Sequence, residues 1–77
     1  MSTEVKIIAK RDIGHGAIAV TLRPNGEAAH DSVRTLYVTA STSDAEVAAW
    51  LDAEKAAVAA LYEAHGAVHH HLDALVD

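Results

Sequence analysis

Apolar and polar residues alternate with a period of two through much of the first half of the chain and recur at steps of four and three in the second. A period of two places successive side chains on opposite faces of a strand, whereas steps of four and three keep them on one stripe of a helix. The first pattern predicts three strands. Residues 4–10 set Val5, Ile7 and Ala9 against Lys6, Ile8 and Lys10. Residues 17–23 set Ile18, Val20 and Leu22 against Ala17, Ala19, Thr21 and Arg23, and residues 33–40 set Leu36 and Val38 against Thr35, Tyr37 and Thr39. The segment Asp12-Ile13-Gly14-His15-Gly16 supplies a hairpin loop, its glycines accepting the positive φ such loops demand. Pro24-Asn25-Gly26 supplies the next turn, Pro fixing φ and Asn-Gly tolerating the left-handed region.

Ser43-Asp44-Ala45-Glu46 has the form of a capping box: the Ser43 hydroxyl can accept the amide of residue 46 while Glu46 reaches back to the Ser43 amide. From there Val47, Leu51, Glu54, Val58, Leu61, His65, Val68, Leu72 and Leu75 form an unbroken four-three seam, apolar at seven of nine positions. Nine Ala between Ala45 and Ala64 add helix propensity to the pattern. His65-Gly66 could end the helix with Gly as a left-handed cap, but the seam crosses Gly66 in phase, which favours one helix over about 44–75, bent at Gly66 if anywhere. The expected fold class is therefore α+β: a three-stranded antiparallel meander followed by one long C-terminal helix. The chain reads as a single domain over 1–77, with the meander in 1–42 and the helix in 43–77.

A helix of that span is roughly 48 Å long, and a strand of seven residues only about 24 Å. One end must overhang, leaving Val68, Leu72, Leu75 and Val76 without cover from the sheet. Composition sharpens the point. Of 39 hydrophobic residues, 17 are Ala, and Cys is absent, so neither a large core nor a disulfide supplements so short a chain. The expectation is a non-enzymatic interaction or assembly module, a homo-oligomer and most simply a dimer, or one bound to another protein, with Trp50, Leu61, His65, Val68, Leu72 and Leu75 as interaction residues. Trp50 also has a competing place in the sheet-helix core, as the largest side chain of a small domain.

Charge is distributed unevenly. Residues 1–42 carry five Lys and Arg against four Asp and Glu, and residues 43–77 one against seven, within a net charge of -5. That balance argues against nucleic acid as the main partner. The alternative nucleic-acid surface is a sheet face bearing Lys6, Lys10, Arg23, Arg34 and Tyr37, but one aromatic is too few for a base-stacking platform. A second alternative is a histidine-based metal binder. His65, His69 and Asp73 stand four apart on one helix face, and pairing two copies would bring four His together.

No cofactor is expected. Gly14-His15-Gly16 leads into a strand rather than a helix and cannot cradle a phosphate, and the adjacent His30-Asp31-Ser32 cannot adopt triad geometry, so enzymatic activity is not expected. No apolar run approaches the ~20 residues of a membrane span, and Met1-Ser2-Thr3-Glu4 lacks the basic opening of a signal peptide, which predicts a cytoplasmic protein without membrane partners. The composition of residues 44–52, Asp44-Ala45-Glu46-Val47-Ala48-Ala49-Trp50-Leu51-Asp52, and the three-strand-plus-helix plan resemble small, Ala-rich proteins of phages infecting high-GC actinobacteria. The resemblance implies an accessory or virion-assembly role, in the virion or the host cytoplasm, and assigns no functional residue.

Overall fold

In the computed structural model, which describes residues 3–26 and 29–76, the chain runs β1 (Val5–Gly14), β2 (Ala17–Pro24), β3 (Ser32–Tyr37) and α1 (Asp44–Leu75). The parts of the expected ranges at residues 1, 2, 27, 28 and 77 lie outside the described residues. The strands form one antiparallel sheet in the order β1-β2-β3, and α1 packs against it, giving the α+β class its pattern predicts.

β1 runs four residues past its expected end because His15 and Gly16 alone make the first turn. Their φ values of 55° and 75° are the two successive positive angles of a primed two-residue hairpin, whose twist matches that of paired strands. Gly14 pairs with Ala17 across it. The Gly16 carbonyl then accepts a 2.6 Å hydrogen bond from the Val38 amide, tying the end of β3 to the turn.

A register shift between Ile7 and Ala9 leaves Ile8 unpaired in a bulge. One extra residue reverses the facing of the residues after it, here as far as a second shift between Asp12 and Gly14. Val5 and Ile7 oppose Pro24 and Leu22 on the side that meets the helix, but beyond the bulge it is Lys10 that opposes Val20 on that side, and Arg34 joins it from β3. The expected grouping of Ala9 with Val5 and Ile7 is corrected accordingly.

The core lies between β1, β2 and the middle of α1. Val5, Val20, Leu22 and Val58 are its buried members, with Ile18, Trp50, Leu51 and Ala59 packed around them. Among the described residues Leu22 and Val58 are the most nearly enclosed, at 0 % and 2 % exposure. The polar seam position Glu54 is answered from the sheet, its carboxylate 3.5 Å from the Arg34 guanidinium.

α1 begins as the capping signal predicts, with Ser43 Oγ accepting from the Glu46 amide at 3.2 Å. The reciprocal half differs: the Glu46 carboxylate accepts from the Ser43 hydroxyl at 3.3 Å rather than from its amide. The helix passes through Gly66 unbroken for 32 residues. Tyr62, against Gly26, and Glu63, which accepts from the Thr3 hydroxyl and amide, are among its last attachments to the sheet. Beyond them about 20 Å of helix projects, and the molecule measures 56 × 25 × 16 Å.

Candidate interaction surface

The four-three seam does two different things along one helix. On a straight α-helix a seven-residue repeat drifts by roughly 20° per heptad, so over the four heptads from Val47 to Leu75 the stripe turns by about 80°. Its first part, through Val58, faces the sheet. Its second part both rotates off the sheet and outruns it. Leu61, Val68, Leu72 and Leu75 are 59 %, 57 %, 50 % and 65 % exposed, and Val76 is exposed beside them. Four large apolar side chains at helical spacing on one stripe form a contiguous patch, which soluble monomers rarely leave in water.

The positions flanking this outer seam, Tyr62, Ala64, His69 and His71, carry no Asp, Glu, Lys or Arg. Such flanking positions select or repel a partner helix through their charge, and here neither sign is presented. Of the expected interaction residues, Leu61, His65, Val68, Leu72 and Leu75 lie together on this surface. Trp50 lies apart from them, partly buried against the core cluster, as its competing place in the core predicts.

At the foot of the projecting segment lies a hollow of about 150 Å³ between the β2-β3 connection and the helix. Pro24, Val58, Leu61 and Tyr62 give it a mainly apolar wall, with His30 and His65 at its rim. The His30 ring meets His65 edge-on with centroids 5.9 Å apart, and His65 lies 4.4 Å from His69. Neither His30 nor Tyr62 carries a signal in the sequence, because both owe their place to the fold of the β2-β3 hairpin over the helix.

On the sheet face away from the helix, Arg23 binds Asp31 through two guanidinium nitrogens, at 2.7 and 3.1 Å. The hydrogen bond from Arg23 holds the Asp31 carboxyl below its ordinary pKa and raises that of the guanidinium in turn. On the opposite side of the helix, hydrogen bonds from the Thr3 hydroxyl and amide lower the pKa of Glu63.

The structure divides the alternative basic surface. Lys6 and Arg23 oppose each other on the face away from the helix, where Tyr37 also lies, exposed; Arg11 shares that face and was not expected there. Lys10 and Arg34 stand on the helix side, Arg34 paired with Glu54, so the five residues do not form one face. Arg23 is further occupied by Asp31. The metal triad is likewise not assembled: among the described residues no three His, Asp or Glu side chains converge to hold an ion, and Asp73 does not join the His65-His69 pair.

No protein-family model, curated protein or solved structure matches the chain. No helix among the described residues is long and apolar enough to cross a membrane.

Proposed function

We propose that the protein is a non-enzymatic assembly module that self-associates through the outer half of α1, most simply as a dimer. The observation that carries this reading is the continuation of a four-three seam, as Leu61, Val68, Leu72 and Leu75, past the end of the sheet that covers its first half. A solvated helix has no use for that spacing; a second helix does, because knobs at those positions fill holes on a facing helix. The resemblance of residues 44–52 to proteins of actinobacterial phages supports an accessory or virion-assembly setting, in the virion or the host cytoplasm.

Sedimentation equilibrium of the wild-type chain beside Leu72→Lys tests the reading. The wild type should exceed its chain mass of 8.1 kDa at micromolar concentration and approach it on dilution, whereas Leu72→Lys should remain at 8.1 kDa with unchanged helicity. A wild-type mass of 8.1 kDa throughout, up to hundreds of micromolar, would rule self-association out. Raising the salt concentration should leave the contact intact or tighten it, as an apolar interface requires, in contrast to the steep loss expected of phosphate binding.

A further inference from the structure

Given the self-association proposed above, the spacing of the outer seam limits two antiparallel copies to a few registers, and the hollow at its foot selects among them. Val58, Leu61, His65, Val68, Leu72 and Leu75 are separated by three, four, three, four and three residues. That series reads the same in both directions. Two such helices laid antiparallel therefore match layer for layer, Leu61 opposite Leu72 and His65 opposite Val68, about a two-fold axis near Gly66 and Ala67.

In this register Leu75 of one copy comes level with Val58 of the other; Val58 itself is enclosed by its own sheet, so what Leu75 meets is the hollow walled by Pro24, Val58, Leu61 and Tyr62. At about 150 Å³ the hollow is on the scale of cavities that accept small hydrocarbon groups. We infer that the protein forms an antiparallel dimer over residues 58–75 of α1, with Leu75 of each copy seated in the apolar hollow at the foot of the other's projecting helix.

The charge pattern of the helix and the geometry of the pair both favour this occupant. The flanking positions Tyr62, Ala64, His69 and His71 bring no fixed like charges together when the helix meets its own copy, while Glu63, on the far side of the helix, is engaged by Thr3. An antiparallel pair sends the two sheets to opposite ends, whereas a parallel pair would crowd both against the same stretch of helix and leave both hollows without a knob. The contact is isologous, so it closes at two copies rather than propagating.

The chain has no Cys, so introduced thiols are the only ones present. Leu61→Cys and Leu72→Cys chains are mixed and oxidised at micromolar concentration, with Ala60→Cys as an off-seam control. A disulfide needs Cα atoms within about 7 Å, and in this register each seam thiol lies roughly 16 Å along the axis from its own counterpart. The mixed 61-72 disulfide should dominate.

Dominance of the 61-61 species, or a dimer by sedimentation that yields no mixed disulfide, would overturn the antiparallel register while leaving self-association standing. A wild-type chain that never exceeds its monomer mass would overturn both. Seating of Leu75 is read separately. Leu75→Ala should weaken the dimer about tenfold or more and Leu75→Met hardly at all, because Met can refill an apolar hollow. A change under twofold for Leu75→Ala would unseat Leu75.

Discussion

Replacing Leu22 with Ala separates what one copy holds together from what it leaves open. Leu22 has no exposed surface and packs in one cluster with Val5, Val20 and Val58, so its truncation leaves a cavity in the core. Truncations of this kind cost about 3–5 kcal/mol at well-packed sites. A chain of 77 residues has roughly 4–12 kcal/mol of total stability, and five buried apolar residues among those described place this one toward the low end. The substitution should therefore remove most of the stability and, with a slope near ~1 kcal/mol per molar urea for so small a chain, lower the urea midpoint by about 3 M.

Leu72→Ala removes the same three heavy atoms from a half-exposed position on the projecting helix. In dilute protein it should cost under about 0.5 kcal/mol, in the range of surface substitutions. Urea titration followed through the fluorescence of Trp50, which packs against the core, reads both. Equal costs for the two substitutions in dilute protein, or a loss under about 1 kcal/mol for Leu22→Ala, would refute the separation of an enclosed sheet-helix core from an uncovered outer seam.

Gly66 stands inside α1 with nothing near the position a Cβ would take, so Gly66→Ala should stabilise the helix by about 1 kcal/mol and raise helicity by circular dichroism. At Gly16 the same change meets a φ of 75° and would bring a Cβ within 2.7 Å of the Val38 carbonyl oxygen, so thermal unfolding of Gly16→Ala should reveal a loss of about 1–3 kcal/mol. Asp31 and Glu63 both have folded-state pKa values below their unfolded ones, so their contribution is complete above the ordinary carboxylate range near ~4 and disappears as pH falls through the lowered values. The acid limb of a stability-pH curve below about pH 4 should be shallower in Asp31→Asn than in wild type, while the two curves run parallel from pH 5 to 8.

The meander and the helix were legible because each rests on local signals: alternation in residues 17–23, the Ser43 cap, and the four-three seam. What was not legible depends on events without a residue signature. Nothing in Ile7-Ile8-Ala9 announces a bulge, yet Ile8 reverses the facing of Lys10 and thereby dissolves the expected basic surface. Arg34 was misplaced for a related reason, since its partner Glu54 is supplied by the helix across a distance of twenty residues. The seam itself was read correctly as a spacing, but spacing does not say where the sheet ends. Only the drift of the stripe, together with attachments that stop near Glu63, divides it after Val58. Trp50 shows the converse: a residue type common at interfaces is held here by the core of its own chain.

The central claim is that the outer half of α1 is bare in a single copy and covered in a pair. Amide hydrogen exchange across residues 64–75, measured at high micromolar and low nanomolar protein, tests it most directly. Protection in that segment should rise with concentration while that of β2 and of α1 around Val58 stays constant. Equal protection of 64–75 at both concentrations would contradict the account.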